Sequence, residues 1–535
     1  MSGQVERPSD ESPASSAPDQ DGRLIRHARD FVVKGLIAKG NEIWSQDRLH
    51  IDEAIEKIEQ AWSLTRDPRL AVQLATMYDQ ANQNDQALIV LREAFRLDPH
   101  HALVRHHAAI TLLRHGSALD IRDFFESVLA IDPQDAFAQF VMAMLDAYDV
   151  WVRELVAAIE AKRDGRRPFI ISCPVWGQPF ADNFASYLCA ALLSANNLPA
   201  LAQRYAVHFV VFTTAETENH LRADPMFARL GDHATVHFMR YTESQVKYGA
   251  AMEAYYGREP VFYSKNSLAF YYARNCKFVL MSCAHYVALA AGRATDAFVS
   301  GQVADTILND GALAQMADLL EGRADAVLIN CMQIDGETLR TTFESRCRRT
   351  DGVLEITSAE ATRIVRDHLP DYNFTTAAGL AQIPLRMCWR VGSGAILVHG
   401  NHYHPMGLRP KAFDHPLHLS IDPTDSRFVD RSSLARQRIH LVQDSSIAGL
   451  SIEDGPLPEQ LARSGPLSVA DMAFWLWGYW GRLRGTFFRT PVRFGTASPD
   501  EWDRAEATAA SVIDAIVDQA AALEGKHRAR RSWRL

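Results

Sequence analysis

The sequence predicts an α + α/β protein: N-terminal helical repeats, then a mixed, mostly parallel sheet sandwiched by helices. Three observations predict it. From about residue 24 to 165, apolar residues recur at three- and four-residue spacing and glycine is scarce. Inside that region Asp-Pro pairs stand at Asp67-Pro68, Asp98-Pro99 and Asp132-Pro133, about 31 and then 34 residues apart. Beyond Arg163-Asp-Gly-Arg-Arg-Pro168, short strand-like runs alternate with helical ones. That is the pattern of a mostly parallel sheet covered on both faces.

The first 22 residues are rich in Ser, Pro, Asp and Glu, with almost nothing to bury, and read as a disordered tail. In the helical region the middle unit carries Leu74, Ala75, Tyr78, Ala87, Leu91, Ala94 and Pro99 in order. These offsets resemble a tetratricopeptide repeat, a helix–turn–helix unit of about 34 residues. Ala75 and Ala87 would let two antiparallel helices approach closely, and Tyr78 and Leu91 would fill the groove between them. In the next unit Ala109, Phe125 and Pro133 agree, but Val128 replaces a small residue. The first unit, with Ala54, Ile58 and Ala61, is offset by a couple of residues. A plain helical bundle is the alternative.

The first strand is Phe169-Ile-Ile-Ser-Cys173, stopping at Pro174. A helix from Ala181 to Ser194 follows, then strands His208–Thr213 and Val236–Met239. Lys277 to Ala291 reads as a helix, Ala297–Ser300 as a strand, Gly311 to Glu321 as a helix, and Ala326–Asn330 as a strand. Ligands of such sheets bind at the carboxyl ends of strands, where the strand order reverses. After about residue 385 the alternation weakens, leaving short strands at Arg386–Val391, Ala395–Val398 and Ile439–Val442. Leu467 to Phe488 is an aromatic amphipathic stretch with Phe474, Trp475, Trp477, Tyr479 and Trp480. It reads as a core-packing helix, or as a membrane-surface helix given Arg482, Arg484 and Arg489. Asp500 to Leu523 is a last helix, and Lys526 to Leu535 a basic tail.

Composition narrows the function classes. The chain has 535 residues, is 47% apolar and 23% charged, and carries a net charge of -9. It is long enough for large cores, and its acidic balance argues against a general nucleic-acid binder. The seven cysteines make no CxxC pair, so neither a disulfide framework nor a zinc ribbon is expected. No secretory signal and no transmembrane run is legible, so the expected compartment is the cytoplasm.

Three places could carry chemistry. Ser172-Cys173-Pro174-Val175-Trp176-Gly177 ends the first strand, where a nucleotide base or ribose could lie beside Trp176; an ordinary strand–helix connection would look the same. In Phe298 to Gly311 a strand runs out towards Asp305, which could hold a divalent ion on a diphosphate, or a sugar hydroxyl. Asp310 reads as the N-cap of the next helix. In His399-Gly-Asn-His402-Tyr-His404-Pro405, His402 and His404 stand at i and i+2, so on extended chain both could face one ligand. They could equally be structural. Asp444 lies further on. The clustered His100, His101, His106 and His107 read as repeat surface, and Cys283 as buried and inert.

These residues resemble a GT-A-type glycosyltransferase, a nucleotide-diphospho-sugar transferase, from about 168 to 450. Phe169–Val175 is similar to that family's opening strand and donor-base turn, and Lys277–Leu289 to the helix before the acidic strand. Ala304-Asp305-Thr-Ile-Leu-Asn-Asp310-Gly311 stands where the family has Asp-x-Asp, and His402-x-His404-Pro405 resembles its late histidine. With the repeats, the chain looks like bacterial proteins in which tetratricopeptide repeats precede such a domain. The resemblance implies a repeat domain over 23–165, a transferase domain over 166–460, a helical extension over 461–525 and a basic tail over 526–535. It implies an enzyme moving a sugar from a nucleotide sugar to a protein or glycan acceptor, with a protein partner recruited through the repeats. Donor-binding residues would be Cys173, Pro174, Val175, Trp176, Lys277 and Asp305. Asp305 and Asp444 would be catalytic, with Asp371 and Asp414 also in the acceptor half. Asp305, His402 and His404 would hold Mn2+ or Mg2+. One departure stands out: Val303 occupies the place of the first Asp of Asp-x-Asp. A basic group such as Lys277, Arg390 or His404 could then neutralise the diphosphate instead. The alternative function is a non-catalytic repeat scaffold with a degenerate sugar-nucleotide domain.

Overall fold

The computed structural model describes residues 20–46, 50–81, 83–248, 277–376, 379–381, 386–400, 403–421, 424–454, 466–478 and 483–532. Of the expected N-terminal tail, residues 1–19 lie outside this set, and Gln20 already opens a helix. The repeat region is α1 (Gln20–Gln46), α2 (Ile51–Thr65), α3 (Pro68–Gln80), α4 (Asn84–Leu97), α5 (Ala102–His115), α6 (Ala118–Ile131) and α7 (Ala136–Ala161). Each helix packs on its neighbours in the chain. Helices α3, α5 and α7 begin at Pro68, Ala102 and Ala136, a constant step of 34 residues.

The Asp-Pro pairs mark the connections between repeats, but not at equivalent positions. Asp67 caps α3 directly, accepting from Arg69 N at 2.9 Å, and Pro68 is the first helical residue. Asp98 and Asp132 instead close short turns on His100 N and Gln134 N, each at 3.2 Å. There the caps are His101 and Asp135. The first connection is shorter, which explains the shorter first spacing. Ala75, Tyr78, Ala87 and Leu91 are all buried, as close helix packing requires.

The strands are β1 (Pro168–Pro174), β2 (Ala206–Thr213), β3 (Thr235–Arg240), β4 (Phe298–Gly301), β5 (Thr306–Leu308), β6 (Ala326–Leu328), β7 (Cys331–Asp335), β8 (Arg386–Val391), β9 (Ala395–Gly400), β10 (Met406–Leu408), β11 (Ile439–Leu441), β12 (Gly449–Glu453) and β13 (Val492–Phe494). The main sheet has the order β3-β2-β1-β4-β10-β6-β11. All its strands are parallel except β10, which runs antiparallel to both β4 and β6. Two small sheets, β5-β12-β7 and β13-β9-β8, flank it. Gly407 in β10 is there for space: a Cβ would stand 2.4 Å from Met316 Cγ on helix Ala312–Gly322.

The main sheet separates two apolar cores. On β1, Phe169, Ile171 and Cys173 face one core, and Ile170 faces the other. The Ile170 core runs without a break into the helical repeats. Helix α7 lies against helix Lys277–Thr295, which covers that face of the sheet. Tyr148 of α7 donates to Leu417 O at 3.1 Å, and Ile421 N donates to Leu113 O at 3.2 Å.

Near the C-terminus, the aromatic stretch forms helices Val469–Gly478 and Arg484–Arg489. Phe474 and Trp477 are buried, and Trp477 Nε1 donates to Glu524 Oε2 at 3.2 Å. The stripe is core, while Tyr479, Trp480 and Arg482 lie outside the described residues. The final helix, Pro499–Ser532, runs past Leu523 and takes in most of the basic run expected as a tail. Among the described residues, no helix is long and apolar enough to cross a membrane.

Candidate functional site

Between β1 and β4 the strand order reverses, and a cleft of about 220 Å³ opens beyond the carboxyl end of β4. Helix Lys277–Thr295 supplies one wall through Phe278, Met281, Ser282 and His285. The segment after β4 supplies Val303 and Asp305. The small sheet β5-β12-β7 supplies Thr306, Ser451, Cys331 and Gln333. Arg386 enters at the head of β8, and His404, Thr424 and Asp425 close the remaining side. His404 arrives because β10 is antiparallel: Met406 pairs with Gly301, so the residues before β10 lie at the carboxyl end of β4.

The polar groups are arranged in distinct ways. Asp305 is half-buried, open to the cleft and enclosed by protein elsewhere. Desolvation pushes its carboxyl up to about 6, with Glu453 and Asp454 adding to the rise. Its backbone is fixed by Ile452 N, which donates to Asp305 O at 2.8 Å. His285 is buried, with Nε2 3.0 Å from Gln302 O and Nδ1 2.6 Å from Thr424 Oγ1. The carbonyl requires a proton on Nε2, so Nδ1 accepts from the threonine hydroxyl and the ring is neutral. Burial agrees, holding its pKa down to about 4. The His404 ring stacks on His285 with centroids 5.7 Å apart. Asp425 is buried and paired with Arg427 at 3.0 Å.

Arg386 is the residue that sequence reasoning missed. The residue as a whole is 3% exposed. Nη1 lies 3.9 Å from Met332 Sδ, and Nη2 lies 3.5 Å from Gln333 Oε1. A signal was present: an arginine heading an apolar run sits where an uncompensated charge is not expected.

Of the residues expected from the sequence, Asp305 and His404 come together in the cleft. His402 lies outside the described residues. Cys173 and Val175 are buried in apolar core beside the cleft, and burial raises the Cys173 thiol, with Asp305 adding to the rise. Pro174 is buried too, and Trp176 is half-buried, its ring edge-on to Tyr241 at 5.7 Å. None of these four lines the cleft. Lys277 is exposed at the start of its helix. Asp444 is exposed in the β11–β12 connection, accepting from Ser446 N at 2.8 Å, and does not line the cleft. Asp371 is exposed and paired with Arg390 at 2.9 Å, and exposed Asp414 accepts from Ser433 N at 3.2 Å.

Asp310 is not the cap of its helix. Gly311 takes that place with φ of 86°, in the left-handed region. The Asp310 carboxylate turns the other way and accepts from Asn196 N at 3.1 Å and Asn196 Nδ2 at 2.7 Å. The helix N-terminus is satisfied from a distance: Leu313 N donates to Asn197 Oδ1 at 3.0 Å.

Among the described residues the donors for a resident cation are too few, and His402, the third expected ligand, lies outside them. Among the described residues, no group of three or more His, Cys, Asp or Glu side chains is placed to hold a metal ion. Val303 lines the cleft where a second carboxylate would be needed. The six described cysteines are buried and unbridged, and Cys283 is buried in its helix as expected.

No protein-family model matches the chain, and no curated protein sequence matches it. Among solved structures, it is similar to a mutant of the O-GlcNAc transferase of Thermobaculum terrenum, at 14% identity and a TM-score of 0.18. The match covers 43% of this chain and 44% of that one, so the chain spans less than half the length of that structure.

Proposed function

We propose that the chain is a glycosyltransferase that binds a nucleotide sugar in the cleft beyond β4, and that its sheet domain is of the GT-A type. One observation carries the reading. A half-buried carboxylate, Asp305, and a buried guanidinium, Arg386, line one cleft at the reversal of strand order in a mixed, mostly parallel sheet. A nucleotide sugar needs both kinds of group. Its hydroxyls donate to a carboxylate, and its diphosphate needs a cation.

In the transfer, an acceptor oxygen forms a bond to the anomeric carbon as the bond from that carbon to the phosphate oxygen breaks. The acceptor hydroxyl gives its proton to water, and the nucleoside diphosphate leaves with the electron pair. Asp305 orients the donor by accepting from its hydroxyls. His285, with both ring nitrogens engaged, holds the wall rather than moving a proton. The base beside the end of β1, near Trp176, belongs to the same reading. The helices α1–α7 are read as tetratricopeptide repeats that recruit a protein acceptor in the cytoplasm.

The test is a thermal-shift screen of the whole chain against UDP-, GDP-, CMP- and dTDP-sugars. A ligand at 100 times its Kd adds about 2.7 kcal/mol to stability, a visible rise in melting temperature. A rise with one nucleotide class supports the reading and names the base. No rise with any of them favours the scaffold reading, to which Val303 in the cleft wall lends support.

A further inference from the structure

We infer that the cleft binds the diphosphate of its ligand through Arg386, without a divalent cation. The inference rests on the transferase reading above and gives its donor site a chemistry.

Arg386 is 3% exposed as a residue, so its charged group keeps little water. Such a charge is costly unless a carboxylate or equivalent anion replaces that water. Among the described residues, no carboxylate oxygen lies within 4.0 Å of it. Its contacts are a thioether at 3.9 Å and a neutral amide at 3.5 Å, both long for charged hydrogen bonds. The amide belongs to Gln333, whose Nε2 donates to Glu453 Oε2 at 3.3 Å. Gln333 thus stands between Arg386 and the nearby acid instead of letting them pair. Arg386 acts on Glu453 only through space, so the cation in the cleft wall keeps N–H donors for something that enters.

The entering group is an anion with several oxygens, because a planar fork of N–H donors matches phosphate oxygens in pairs. The donor set points the same way. The described His, Cys, Asp and Glu side chains make no metal site, so a fixed side-chain cation stands where a bound ion would otherwise be needed. Helix Lys277–Thr295 and the β8 end both line the cleft, whose volume of about 220 Å³ leaves room for a diphosphate.

The experiment uses the full chain in EDTA, with inorganic pyrophosphate, UDP and GDP as probes, read by calorimetry and thermal shift. Binding of pyrophosphate or a nucleoside diphosphate without metal is expected. Arg386→Met should weaken it by about 10-fold to 100-fold, the worth of a charged hydrogen-bond pair. Arg386→Lys should restore part of the loss. Circular dichroism checks that both variants fold, and the wild-type result in EDTA needs no variant. Binding that appears only with Mn2+ or Mg2+, or an Arg386→Met variant that binds as tightly as wild type, overturns the inference but leaves the transferase reading standing. Pyrophosphate binding that depends on Arg386, with no nucleotide sugar bound under any condition, upholds the anion site and overturns the transferase reading. No binding of any probe, with or without metal, overturns both.

Discussion

Trp151, on the last repeat helix, meets Tyr241, just past β3, edge to face with ring centroids 5.6 Å apart. Trp151 also packs edge-on against Phe212 at the end of β2, at 5.7 Å, and Tyr241 donates its hydroxyl to Leu280 O at 2.7 Å. Tyr241 therefore ties together the repeats, the sheet and the helix that walls the cleft. Trp176, after β1, leans on the same ring.

Truncating Trp151 should destabilise the whole chain, not the repeats alone. Trp151→Ala removes a buried indole from a junction with no spare atoms to refill it, at a cost of about 3–5 kcal/mol. Because one core runs from the repeats to the sheet face, unfolding followed by far-ultraviolet dichroism and by tryptophan fluorescence should give coincident transitions. Two separated transitions would mean that the repeats fold as an independent body.

Asn197 gives a second stability prediction. It is buried, its Nδ2 lies within 3.1 Å of Ala191 O, Ser194 Oγ and Asn309 O, and its Oδ1 accepts from Leu313 N. Asn197→Ala would leave several of these groups buried and unsatisfied, costing about 1–3 kcal/mol or more. Asp310→Ala, which loses only an exposed pair with Asn196, should cost less. Denaturant titration of the two variants ranks them, and the reverse order would restore Asp310 as the more important residue.

Much of the fold was legible because it depends on local pattern. β1 and β2 are mostly apolar runs, broken only by Ser172, His208 and Thr213, and the sheet buries every residue of both. Helix starts carry their own signals, as Asp67-Pro68 shows. The failures are non-local. Asp310 looked like a cap because Asp is a favoured residue at the start of a helix, yet Asn197, over a hundred residues away, does that work. The cleft draws on residues from Phe278 to Ser451, and only Asp305, His404 and the departure at Val303 were legible in advance. Arg386 entered only as the head of a strand, since nothing local says that β8 carries its first residue to the carboxyl end of β4. β10, β12 and β13 are too short to show a period.

Asp444 lies outside the cleft, and its replacement tests whether it belongs to the donor site. It is exposed on the β11–β12 connection and outside the cleft. Asp444→Asn should leave the affinity for a nucleoside diphosphate unchanged within about twofold, since an exposed residue outside the cleft adds little. Calorimetry with the nucleotide found by the screen checks this. A loss of affinity of tenfold or more would place Asp444 in the donor site after all.

Stability should fall as pH drops from about 6.5 to about 4. His107, His208 and His285 are buried, and burial holds each down to about 4 in the folded chain. Unfolded, each returns to about 6.5. Between those values the unfolded chain binds more protons than the folded one, so acid favours unfolding by up to about 1.4 kcal/mol per pH unit for each proton. Asp305 acts in the opposite sense. Its folded value, about 6, lies above the unfolded one, so acid relieves its cost over part of the same window. Three histidines outweigh one aspartate, and urea titrations at pH 7, 6 and 5 should show falling stability. A flat or rising trend would mean that these histidines are solvated in solution.

Asp305→Asn should separate function from folding. Above pH 6 the ionised carboxylate is held where desolvation and the neighbouring Glu453 and Asp454 disfavour it. An amide of the same shape removes that charge, so the melting temperature at pH 8 should stay level or rise. Donor affinity should behave differently. A carboxylate accepts from a sugar or ribose hydroxyl about twice as strongly as a neutral carbonyl, so binding and turnover of the nucleotide sugar should fall by about 10-fold to 100-fold. A variant that melts higher yet transfers less would have lost a group held in the cleft at the expense of stability, as residues poised for ligands are. If Asp305→Asn lost stability and binding together, its role would be to hold the β4–β5 connection. If it lost neither, the cleft would take its ligand without it.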